Sequence, residues 1–123
     1  MRVLVIDDDA PSVDALRVML ESAGHRVESA ENGREALSRL REGNGYCVIL
    51  LDIMMPVMNG YEFREEQLKD PKLASIPVIV VTADGRAREK AQQIGSDIFF
   101  QKPLVPRELL RAIGRYCLPE NAA

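Results

Sequence analysis

The sequence predicts an α/β domain built on a parallel sheet, and three observations carry that prediction. Short apolar runs recur along the whole chain, at Val3–Ile6, Cys47–Leu51, Pro77–Val81 and Ile98–Gln101, with a weaker one at His25–Ser29. A segment with helical apolar spacing follows every run. Glycine, proline or aspartate then closes most of these segments. Strands that alternate with helices of this length form βα units, which pair their strands in parallel. A chain of 123 residues fits one domain and can bury a core without disulfide staples.

Each element has its own reason. Val3–Ile6 is β-branched and apolar, and three aspartates stop it. Val13, Leu16, Leu20 and Ala23 then repeat at three- and four-residue steps, the stripe of an amphipathic helix that Gly24 ends. His25–Ser29 is a second, weaker strand. Asn32–Glu42 reads as a helix with Ala36, Leu37 and Leu40 facing inward, closed by Gly43-Asn44-Gly45. Cys47–Leu51 is apolar throughout, the pattern of a strand covered on both faces. Gly60–Lys69 forms a third helix, stopped by Asp70-Pro71. Pro77–Val81 is a second fully apolar strand. Arg86–Ile94 is a short polar helix with only Ala87, Ala91 and Ile94 to bury, and Ile98–Gln101 is the fifth strand. Pro106–Cys117 is the last helix, with Leu109, Leu110, Ile113 and Cys117 inward, and Pro119–Ala123 remains as a short tail.

Composition excludes several classes of function. Apolar residues make up 46% of the chain, too many for a disordered segment. The net charge is −3 and the 16 basic residues are scattered, so no electrostatic footprint for nucleic acid or an anionic membrane exists. No apolar run approaches the roughly 20 residues of a membrane span. The opening, Met-Arg followed by a short apolar run and three acids, lacks the shape of a signal peptide. A cytoplasmic protein with reduced thiols is therefore expected. Cys47 and Cys117 lack CxxC spacing and read as ordinary buried or half-buried thiols without metal or redox use.

The chemistry gathers at the strand ends. In an open parallel sheet, ligands bind beyond the carboxyl ends of the strands. Asp7, Asp8 and Asp9 follow the first strand, Asp52 the third, Thr82 the fourth, and Lys102 and Pro103 the fifth. If those strands are neighbours, these side chains share one pocket. Crowded carboxylates raise one another's pKa, and a divalent cation relieves the repulsion. Mg²⁺ suits such hard oxygen ligands. A carboxylate beside it can attack phosphorus, while an ammonium and a hydroxyl stabilise the transferring group. Taken singly, an aspartate after a strand is often a helix N-cap, and Asp9 before Ala10-Pro11 reads that way. Lys102 alone would read as a solvated surface lysine. Their joint placement at four strand ends is much harder to explain by caps.

Four motifs resemble a known family. Val3-Leu-Val-Ile-Asp-Asp-Asp9, Leu50-Leu-Asp-Ile-Met-Met-Pro-Val-Met-Asn-Gly60, Pro77-Val-Ile-Val-Val-Thr-Ala83 and Gln101-Lys-Pro103 are similar, in order and spacing, to those of response-regulator receiver domains. The resemblance covers essentially the whole chain, with a receiver domain over residues 1–118. It implies a doubly wound, flavodoxin-like (βα)5 fold with strand order 2-1-3-4-5 and helices on both faces. It also implies a switch in two-component signalling. Asp52 is then the phosphoacceptor, Asp8 a direct Mg²⁺ ligand, Asp7 its partner acting mainly through water, and the Met54 backbone carbonyl a further ligand. Thr82 is the switch hydroxyl, Lys102 pairs with the phosphoryl group, Pro103 follows in a cis turn, and Phe99 takes the place of the switch aromatic. For Phe99, plain strand packing is an equal reading. Met54 and Asp84 flank the path of the hydrolytic water. The donor is a phosphohistidine on a histidine kinase or phosphotransfer protein, and the output is a change on the surface of helix 4, strand 5 and helix 5 read by a protein target. The chain departs from the family in two places: the segment between Thr82 and Gly95 is trimmed, and Leu104 stands where many members carry Phe.

Other classes fit less well. Haloacid-dehalogenase-type phosphatases also place Asp-x-Asp after the first strand, here Asp7 and Asp9, but that reading leaves Asp52 unexplained and lacks a later acidic motif. A docking-only receiver would have lost part of the acid, acceptor or lysine set, all of which is kept. A DNA-binding regulator would need a helix-turn-helix beyond residue 118 or a basic stripe. A receiver excised from a hybrid kinase or a transcription regulator would have this same sequence.

Overall fold

The computed structural model describes residues 2–43, 45–55, 57–83 and 85–118. Its elements alternate along the chain: β1 (Arg2–Ile6), α1 (Ala10–Ser22), β2 (Arg26–Ala30), α2 (Gly33–Arg41), β3 (Tyr46–Leu51), α3 (Gly60–Lys69), β4 (Val78–Thr82), α4 (Ala87–Gln93), β5 (Ile98–Gln101) and α5 (Pro106–Ile113). The five strands form one parallel sheet in the order β2-β1-β3-β4-β5. This is the doubly wound (βα)5 architecture expected from the sequence.

Burial follows from that order. β3 lies at the centre and is buried at every residue, whereas the edge strands β2 and β5 are only partly covered. Alternate strand residues feed two cores. On one face Leu4, Ile6, Ile49, Leu51 and Val80 pack with Ala36, Leu37 and Leu40 of α2, Phe63 of α3 and Ala91 of α4. On the other, Val3, Val5, Leu50, Ile79 and Val81 pack with Leu16 and Leu20 of α1 and Leu109, Ala112 and Ile113 of α5. A period of two in the strands thus divides the helices into a pair and a trio.

Helix ends account for the small differences from the expected boundaries. Asn32 and Glu42 cap α2 instead of joining it, and the Asn32 side chain accepts from the Glu35 amide. Asn59 and Glu62 form a reciprocal capping box on α3. α4 has no side-chain cap, and α5 stops at Ile113, four residues short of Cys117. There the amides of Arg115 and Tyr116 turn back to Ala112 and Ile113, which tightens the chain into a turn. The strands β2 and β4 each begin one residue later than expected, β4 because Pro77 has no N–H to offer a ladder.

The expectation for the cysteines is corrected. Cys47 and Cys117 are buried and joined as a disulfide, with Cα atoms 5.6 Å apart. A sequence separation of 70 residues hides a proximity that arises only when α5 lies across β3. Asp84 and the tail at 119–123 lie outside the described residues.

Candidate phosphoacceptor site

Backbone pairing continues one step past the strands and builds the rim of the site. The Asp7 amide donates to Ala30 O, the Asp52 amide to Ile6 O, and the Lys102 amide to Thr82 O. These bonds hold the residues that follow β1, β3 and β5 at the same carboxyl-end edge, beside Thr82, the buried last residue of β4. One carboxylate oxygen each from Asp7, Asp8 and Asp52 lies within 4.8 Å of the others. The residues expected at four strand ends are therefore neighbours.

The three acids differ in setting. Asp7 is buried, Asp8 is exposed and Asp52 is half-buried. Burial pushes the Asp52 carboxyl up to about 6, and the negative charge of Asp7 adds to the rise. The Met54 amide, 3.3 Å from Asp52 Oδ1, and the Lys102 charge oppose it without cancelling it. Such a set is an under-neutralised anion cluster with hard oxygen donors, and it fits a divalent cation of the Mg²⁺ type.

Lys102 sits on Asp7, with Nζ 2.9 Å from Oδ2, in a largely buried ion pair. The same ammonium donates to Ser12 Oγ at 3.2 Å. Asp9 behaves as the N-cap expected of it. Its carboxylate accepts from the Ser12 amide at 3.1 Å and from Ser12 Oγ at 2.6 Å, and these bonds hold its pKa below the usual range. The Asp9 amide in turn donates to Asp7 Oδ1 at 2.9 Å. An Asp7/Asp9 phosphatase pair is not what forms, because Asp9 is committed to the helix.

Ser12 was not singled out from the sequence, though a signal existed. It stands three residues after the cap Asp9, the position whose amide a cap receives, and its hydroxyl links cap and lysine. Arg88 was also missed. Its guanidinium carbon lies 5.9 Å from the centre of the Phe99 ring, a cation–π contact across α4 and β5. Phe99 is half-buried and packs against the α2–α3–α4 core. The Lys102–Pro103 peptide is cis, as expected, and Met54 lies exposed beside the acids.

The response regulator receiver domain family model matches residues 3–114. Protein PilH of Pseudomonas aeruginosa is 34% identical over 114 residues, which cover 91% of this chain and 93% of that protein. The transcriptional regulatory protein CpxR homolog of Haemophilus influenzae is 38% identical over 91% of this chain, but the match spans only 48% of that longer protein. Among solved structures, the response regulator TrrA of Thermotoga maritima, in complex with Mg(2+)-BeF, superposes with a TM-score of 0.82 at 31% identity, covering 94% of this chain and 98% of that one. No helix among the described residues is long and apolar enough to cross a membrane. On fold, rim and relatives alike, the chain belongs to the response-regulator receiver domains of two-component signalling.

Proposed function

We propose that this receiver domain, residues 1–118, accepts a phosphoryl group on Asp52 from a phosphohistidine of a partner histidine kinase or phosphotransfer protein. The observation that carries the reading is the cluster of Asp7, Asp8 and Asp52 oxygens within 4.8 Å at the end of the central strand. Asp52 is the member placed to react, because it follows β3 directly and its carboxylate is only partly covered.

An ionised Asp52 oxygen attacks phosphorus, and the new O–P bond forms as the P–N bond to the partner's imidazole breaks. Asp7, Asp8, Asp52 and the Met54 backbone carbonyl would hold Mg²⁺, which when bound neutralises the acids and polarises the phosphoryl oxygens. Lys102 exchanges its bond to Asp7 for one to the new dianion, staying within reach because its backbone hydrogen bond to Thr82 O anchors it. The Thr82 hydroxyl supplies a further hydrogen bond. Movement of Thr82 opens space for Phe99, and the surface of α4, β5 and α5 changes for a downstream protein. Attack by water on phosphorus then restores the Asp52 carboxylate.

Intact mass after treatment with acetyl phosphate and Mg²⁺ tests the reading. The wild type gains one phosphoryl mass and Asp52→Asn gains none. An equal gain in both proteins sinks the assignment of Asp52.

A further inference from the structure

We propose that Cys47 and Cys117 are a reversible thiol–disulfide pair, whose oxidation locks the C-terminal end of α5 onto the central strand and whose reduction releases it. The register of β1 on β3 gives the first support. Arg2 pairs with Tyr46 but Val3 pairs with Val48, so the ladder skips Cys47. The consequence is visible in the packing. Cys47 and Val48, adjacent in sequence, both enter the α1–α5 core, where strict alternation would have sent Cys47 to the opposite face. A bulge re-aims a side chain, and this one points a thiol at α5.

Both redox states are provided for. The Cα separation of 5.6 Å falls in the ordinary disulfide range. Cys47 Sγ also lies 3.3 Å from the Arg2 carbonyl oxygen, so the reduced thiol has an acceptor for its proton. For Cys47, reduction therefore exchanges the covalent bond for a hydrogen bond.

Position dictates which sulfur reacts first. Cys117 follows the end of α5, held by its amide bond to Ile113 O, and Leu118 beyond it is 80% exposed. Cys47 lies in the buried central strand. Fraying of the last turn thus exposes Cys117 long before Cys47. The Cys117 thiolate attacks a small-molecule disulfide such as oxidised glutathione, forming a mixed disulfide and expelling one thiolate. As the turn recloses, the Cys47 thiolate attacks the Cys117 sulfur and expels the second. Two electrons pass from the protein thiols to the donor disulfide, and their two protons go to the released thiolates. Cys47 sits at the start of β3 and Asp52 just past its end, so the acidic rim is spared.

The test uses the whole chain in glutathione redox buffers. On oxidation the intact protein loses the mass of two hydrogens and both alkylatable thiols. Its Tm rises by roughly 10 °C, as expected for closing a long loop. Amide exchange over residues 114–118 slows at least tenfold, while acetyl phosphate labels both forms at rates within about twofold. Cys47→Ala accumulates a glutathione adduct on Cys117, whereas Cys117→Ala stays unmodified while folded. Three results would each overturn the proposal: thiols that stay free in excess oxidised glutathione, oxidation that links two chains, or exchange at 114–118 that is equal in both states.

Discussion

Replacing Asp52 with Asn should stabilise the metal-free protein, although it removes the residue on which the proposed chemistry depends. Three acids crowd one rim, and Asp52 is held about two pH units above the ordinary carboxylate value, at about 6 against 3.8. Each unit corresponds to about 1.4 kcal/mol, so the ceiling on the gain is about 3 kcal/mol. Asp52 remains half open to water, which screens its repulsion from Asp7, and half the ceiling, about 1.5 kcal/mol, is the expected gain. With about 2.1 cal/mol/K of unfolding entropy per residue, that is a rise in Tm of about 6 °C for a chain this long. The sign with pH is fixed by the raised value. A carboxyl favoured in its neutral form stabilises the fold fully below 3.8, and that contribution is lost as pH rises through about 6. The advantage of Asp52→Asn is therefore largest at pH 7–8 and fades as pH falls toward 4. Thermal unfolding in EDTA at several pH values measures it. Saturating Mg²⁺ should stabilise the wild type more than the variant. If Asp52→Asn were no more stable at pH 8 than the wild type, or if its gain were as large at pH 4, the cost of burying a charged Asp52 beside Asp7 would not limit stability at this rim.

Further perturbations separate the remaining roles. Asp8→Ala should weaken Mg²⁺ at least tenfold by titration, whereas Asp9→Ala should keep binding and lower only the Tm, with the loss of its cap; the opposite pattern would reverse the two assignments. Val57 is a β-branched residue at a φ of 66°. Relief of about 1–2 kcal/mol of left-handed strain, less about 0.5–1 for glycine's greater freedom when unfolded, predicts that Val57→Gly gains about 0.5–1 kcal/mol in urea unfolding. A lower urea midpoint would refute that strain. Gly60→Ala should cost about 1–3 kcal/mol, because the added Cβ would lie 2.8 Å from the Ile53 Cα, a backbone atom that cannot step aside; an unchanged Tm would show that the loop relaxes. Burial holds the His25 pKa below its ordinary 6.5, so its contribution is present above that pH and is lost as pH falls and the unfolded chain takes up the proton. In the Asp52→Asn background, His25→Gln should flatten the loss of stability between pH 7.5 and 5.5, and an unaltered slope would place the titration elsewhere.

Much of this protein was legible in the residues themselves. Period-two and period-3.6 patterns placed all ten elements to within a residue or two at most ends, because burial on one or two faces dictates which positions are apolar. The wholly apolar β3 announced a strand covered on both faces, whereas the edge position of β2 came only with the family's strand order. The rim was legible for a related reason. A parallel sheet puts the carboxyl ends of its strands on one side, so the order of residues alone groups Asp7, Asp8, Asp52, Thr82 and Lys102. The end of α5 was read too far because Cys117 continues the apolar stripe after the helix has stopped. What tertiary structure alone decided is who touches whom. Lys102 had several acids within reach along the chain, and only the packed rim assigns it to Asp7, with Ser12 as its second partner. Arg88 finds the Phe99 ring because α4 lies against β5. Cys47 and Cys117 meet through a skipped residue in the β1–β3 ladder and the path of α5, neither of which leaves a local signature. Local patterns report the free energy of burying one face of one element, whereas contacts between elements depend on register and packing, which exist only once the chain has closed on itself.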